Sequence, residues 1–154
     1  MQSVNLSALN DLDKKMEELL KEAPKLREKL HEDLGAMALK KVKAEIAMSG
    51  LNDSHQKIRA WQESHTGSKG GYAAVRAKDN PSGDDGAGAV TNYLNSGHRT
   101  RPPSYKDPNY RRRVNQSYVE GLEFYQNAVP RIESEMIKMG EEFVEKMAKK
   151  IGGG

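Results

Sequence analysis

The stretch GGYAAVRAKDNPSGDDGAGAVTNYLN (Gly70–Asn95) decides whether this chain is all-helical or mixed. Two short runs with β-branched or aromatic residues, Tyr72–Ala77 and Ala89–Asn95, flank Asp79–Gly88, whose Asn, Pro, Ser, Asp and Gly residues have the composition of a flexible turn. The pattern predicts a β-hairpin with a long tip. Immediately downstream, Arg99–Ser117 contains Pro102, Pro103 and Pro108, which exclude a central strand or a helix interior and predict an extended loop.

Outward from this middle the apolar period becomes helical. Leu6, Leu9, Leu12, Met16, Leu19 and Leu20 recur at steps of three and four among Asp, Glu and Lys, with Asn5 or Ser7 as cap. Pro24 removes a backbone donor and predicts a kink or restart, after which Leu26, Leu30, Leu34 and Met37 carry the stripe toward Met48 and the Ser49-Gly50 stop. A coiled-coil dimer competes with this reading, over few heptads. Leu51–Ser64 accommodates a short helix or turn around Ile58 and Trp61. At the other end Ile132, Met136, Met139, Phe143, Met147 and Ile151 mark a helix over 127–151, with Asn127 as cap and Pro130 in the first turn. The expected fold is α+β in a single domain, 1–154: an N-terminal helical arm (1–48), a hairpin and loop region (67–125) and the C-terminal helix. The N-terminal helices and one long C-terminal helix flank a small antiparallel sheet.

With 154 residues, 36% hydrophobic and 31% charged, the chain can bury only a modest core, which suits a protein completed by neighbours. It contains no Cys, so disulfides and thiol chemistry are excluded and a reducing compartment fits. No apolar run approaches a membrane span and the start lacks a signal-peptide layout, so the expectation is a soluble, unsecreted protein. The net charge of +3 is unevenly placed. Residues 1–48 hold nine acids and nine bases, and residues 129–151 hold five of each. The segment His98–Arg113 instead sets six bases against the single acid Asp107, a local net of +5 that calls for an anionic or polar partner.

No catalytic set emerges, and the expectation is that this is not an enzyme and holds no cofactor or metal. Gly67-Ser-Lys-Gly-Gly71 has the glycines and lysine of a phosphate cradle, but Lys69 precedes the glycine pair and a strand follows, contrary to a P-loop. His31, His55, His65 and His98 lack metal-ligand spacing, and Asp84-Asp85 lacks the alternating ligands of a calcium loop. The strongest signal is the basic loop itself. Tyr105 and Tyr110 are interleaved among the basic residues Arg99, Arg101, Lys106, Arg111, Arg112 and Arg113, a combination that serves nucleic acid through phosphate contact and stacking. Arg and Tyr equally serve protein interfaces.

The run Gly50–Ala128 resembles the tail-completion, or head-tail joining, proteins of long-tailed bacteriophages. The resemblance rests on three ordered motifs: Gly67-Ser-Lys-Gly-Gly-Tyr-Ala-Ala-Val75; Tyr93 with Gly97-His98; and Val119, Gly121, Phe124, Tyr125 and Ala128 leading into the last helix. It implies a structural virion protein, assembled in the host cytoplasm and located at the tail and neck. Such a protein forms a homo-oligomeric ring, commonly a hexamer, that meets the tail tube or tail terminator and the head connector. Passing DNA lies near any basic loop facing inward, and neither a membrane nor a small-molecule substrate takes part. Under that resemblance Tyr93, Gly97, His98, Arg99, Arg101, Tyr105, Tyr110, Arg111, Arg112, Arg113 and Phe124 form the surface that meets neighbours. A small basic nucleic-acid-binding protein acting through Arg99–Arg113 is the alternative.

Overall fold

The computed structural model describes residues 6–53, 56–78, 86–100 and 117–152, with side chains from residue 10 onward. The fold is α+β and mostly helical. In chain order it runs α1 (Leu6–Met48), α2 (Lys57–Trp61), β1 (Gln62–Thr66), a 3-10 turn (Ser68–Gly70), β2 (Ala73–Ala77), α3 (Ala87–Ser96), β3 (His98–Arg99), β4 (Tyr118–Val119) and α4 (Phe124–Gly152). The strands form two two-stranded sheets, β1 with β2 and β3 with β4. Asn5, the hairpin tip 79–85, His55 and the loop 101–116 lie outside the described residues, and Ser7, the other expected cap, lies inside α1.

Three expectations need correction. Tyr72–Ala77 does supply a strand, but Ala89–Asn95 lies in helix α3. Ala87, Thr91 and Asn95, at steps of four, are its buried residues, so the helical period was present under a composition that favoured strand. The partner of β2 is β1 instead, paired antiparallel across the turn: Gly67 N donates to Tyr72 O (2.9 Å) at one end and Lys78 N to Trp61 O (2.8 Å) at the other. Second, α1 does not restart after Pro24, which lies inside one continuous helix. The cost of the missing donor falls on the carbonyl four residues earlier, that of Leu20, a residue 72% exposed on the solvent side of the helix. Third, α4 starts at Phe124, which puts Pro130 beyond its first turn and Asn127 inside the helix. Glu123, at φ +49°, makes the bend that launches it.

The chain divides into two compact units. The first gathers residues 1–39, 64–75 and 130–154. In it the hairpin lies against α1: a Cβ on Gly70 would fall 2.5 Å from Glu28 Cα, and one on Gly35 would fall 3.3 Å from Ser64 Cβ. Arg27 donates to Lys69 O (3.2 Å), while Lys69 and Gly70 both take positive φ. The glycine-rich turn is thus shaped to fit a helix. The Glu22 carboxylate accepts from Lys150, which also holds its pKa below the ordinary value. Among the described residues, no apolar side chain of this unit is fully buried.

The second unit, 40–63 and 76–129, holds the core: Val42, Ile46, Ile58, Ala87, Phe124 and Ala128, with Ile46, Phe124 and Ala128 at 0% exposure. Asp53 caps α2 by accepting from Ile58 N (3.1 Å) and Arg59 N (3.2 Å), satisfying donors that a helix start leaves over.

Candidate interaction surface

The surface expected around Tyr93–Phe124 is built in the second unit on a junction between the end of α3 and the start of α4. Helix α3 ends at Gly97, whose φ of +79° the chain needs in order to turn back. The carbonyls that the helix end leaves open are each taken. Gly97 N donates to Tyr93 O (3.0 Å), Leu122 N to Leu94 O (2.8 Å) and Glu123 N to Asn95 O (2.9 Å). The Tyr118 hydroxyl donates to Ser96 O (2.9 Å). In return the Asn95 side-chain oxygen accepts Tyr125 N (3.0 Å) from the first turn of α4. The end of one helix therefore caps the start of the other.

Such closeness requires bare backbone. A Cβ on Gly97 would meet Val119 O at 2.5 Å, and one on Gly121 would meet Asn95 O at 2.2 Å and Gly97 N at 2.6 Å. Antiparallel pairing sets His98 opposite Val119 and Arg99 opposite Tyr118, and Thr100 N donates to Ser117 O (3.0 Å). The ladder holds together the two points where the basic segment 101–116 leaves and returns.

Beneath the junction runs a buried polar network. Gln62, 2% exposed, donates from Nε2 to Ile58 O (3.1 Å) and Thr91 Oγ1 (3.3 Å), and its Oε1 accepts from the Tyr125 hydroxyl. Every polar end of the Gln62 amide has a partner, which is what lets it sit in a core. Burial raises the Tyr125 pKa above its ordinary 10.0, so it stays a donor at neutral pH.

Of the residues expected at the surface, Tyr93, Gly97, His98 and Arg99 come together here. The Tyr93 and His98 rings lie 5.3 Å apart, tilted by 44°, and Tyr93 is 39% exposed. His98 Nδ1 is buried and has no hydrogen-bond partner among the described residues. Phe124 does not belong to the surface: it is wholly buried beside Tyr125, at 4.9 Å between rings, and serves the core. Arg101, Tyr105, Tyr110, Arg111, Arg112 and Arg113 lie outside the described residues. Sequence reading missed Asn95, Gln62 and Thr91, whose polarity hid their burial, and Tyr118, whose exposed ring (46%) joins the surface.

Among the described residues no three His, Asp or Glu side chains converge as a metal site, and no helix is long and apolar enough to cross a membrane. Comparison with known protein families, curated proteins and solved structures finds no match to the chain.

Proposed function

We propose that this is a virion assembly protein of a long-tailed phage, which completes the tail and joins it to the head connector as a ring of identical subunits. The observation that carries the reading is that two of its separated motifs form one object. Gly97 and His98 of one motif lie against Val119 and Gly121 of the other, through the His98–Val119 pairing and the crossing of the two glycines, and Tyr93 joins them through the His98 ring. The first unit supports an assembly role on independent grounds. Leu12, Met16 and Leu20 on α1, and Met136, Ile137 and Val144 on α4, are 40–72% exposed. Burying a side chain of this size stabilises by about 1.5–3 kcal/mol, and apolar stripes left open on a stable fold mark contact surfaces.

Mass measurement, alone and mixed with tail and connector proteins, tests the reading: an oligomer, or a complex with either partner, is expected. A protein that stays monomeric at all concentrations and binds neither overturns it. One observation favours a nucleic-acid contact as a second reading: the hydrogen bond between Thr100 and Ser117 anchors both ends of the segment that carries most of the +5 charge. Salt-dependent binding to duplex or single-stranded DNA is its measurement.

A further inference from the structure

Four positions of α4, Glu133, Ile137, Gly140 and Val144, recur at steps of four, three and four and so share one helix face. Ile137 and Val144 are 60% and 66% exposed, and neighbouring Met136 is 45% exposed. A Cβ on Gly140 would meet nothing within 4 Å, so the middle of the stripe is low and open. The exposed charges beside it, Glu133 and Glu141, are both acidic, while Arg131 and Lys138 fall on another side of the helix. Pairing this face with its own copy in antiparallel fashion about Ile137 brings Glu133 toward Glu141 of the other chain, acid against acid. The surface that suits it is apolar and basic.

The second unit has one. A shallow groove between the end of α1 and α2 is lined by Lys43, Ala44, Ala47, Gln56, Arg59 and Ala60. It continues past Ala47 to Leu51 and Asp53. Its alanines leave room for protruding Ile and Val side chains. Exposed Lys40, one turn before Ala44, adds a further cation to the face that Lys43 occupies. Among the described residues of the lining the one acid, Asp53, is engaged by Arg59 at 3.4 Å, so the lysines set the net charge there.

We infer that the α4 face of one subunit docks into the α1–α2 groove of a second copy of this chain, with Glu133 and Glu141 beside the lysines at its rim. The contact joins two different surfaces, so it propagates from subunit to subunit and closes into a ring when the rotation permits. It rests on the ring reading above and specifies the interface.

A complementation experiment tests it. Val144→Asp spoils the helix face and Ala47→Asp spoils the groove, both at exposed positions. Each variant alone is expected to be a monomer by analytical ultracentrifugation, with self-association weakened at least about 100-fold. An equimolar mixture is expected to stop at a 1:1 dimer, because one intact face meets one intact groove. Wild-type oligomers that persist unchanged in both variants, or folded variants whose mixture remains monomeric, overturn this interface while leaving the assembly reading standing. A wild-type protein that is itself monomeric overturns this interface, and it overturns the assembly reading as well only where it also binds neither tail nor connector protein. Circular dichroism checks folding. Should Ala47→Asp not fold, Lys43→Glu is expected to weaken association and Lys43→Glu with Glu141→Lys to restore it; absence of restoration counts against the proposal.

Discussion

At Gly97 two demands coincide, a positive φ and a carbonyl oxygen where a Cβ would go, while at Gly121 only the second applies. Gly97→Ala and Gly121→Ala are each expected to destabilise by about 2–4 kcal/mol in denaturant titration, since the obstructing atoms are backbone and have nowhere to yield. Gly140→Ala is the contrasting case: with free space around it inside a helix, it is expected to stabilise by about 0.5–1 kcal/mol. Asp53 offers a test by pH. Burial raises its pKa, but the amides of Ile58 and Arg59 and the Arg59 guanidinium together outweigh burial and hold it below the ordinary 3.8. A carboxylate depressed in the folded state contributes stability that is present above the unfolded pKa and fades as pH falls through the folded value. The stability gap between wild type and Asp53→Asn is therefore expected to be widest near neutrality and to shrink below about pH 3.8, as read by urea midpoints across pH.

Pro24 and α3 show at the level of elements how far local rules reach. Helix α1 absorbs Pro24 without interruption, so Pro24→Ala restores a donor for Leu20 O and is expected to raise the thermal midpoint, with a gain of up to about 3 kcal/mol. The two long helices were legible because their apolar spacing repeats over many turns, and β2 was legible from a short run with aromatic Tyr72 and β-branched Val75 beside turn-forming residues. What hid α3 was its composition: Val90, Thr91 and Tyr93 favour strand, and its buried stripe of Ala87, Thr91 and Asn95 includes two polar residues that apolar periodicity does not count. Those residues are tolerated inside because partners far along the chain, Gln62 and Tyr125, satisfy them, and such partners cannot be read locally. Phe124 misled for the converse reason. An aromatic residue in a motif can equally be the plug of a core, and only three-dimensional burial separates the two cases.

For the molecule as a whole, charge and apolar exposure are segregated in a way that separates two kinds of contact. The balanced ends, with nine acids against nine bases and five against five, contribute the exposed stripes of the first unit, so the segments that bear them carry no excess of either charge. The excess positive charge sits instead between His98 and Arg113, anchored on the second unit by the β3–β4 ladder. If assembly runs through the stripes, the arginines are spare for a different partner. The triple variant Arg111→Ala, Arg112→Ala, Arg113→Ala is therefore expected to keep the wild-type oligomer mass while losing most of its capture of connector or tail proteins in a pull-down. The same variant separates the two readings of the loop. Should the segment grip DNA, each phosphate that the variant no longer neutralises flattens the dependence of log K on log salt by about 0.9, so removing all three arginines reduces the slope by roughly 2.7. A slope that stays constant while protein capture falls assigns the arginines to a protein interface, and a change in oligomer mass would show that charge and self-association are not separate after all.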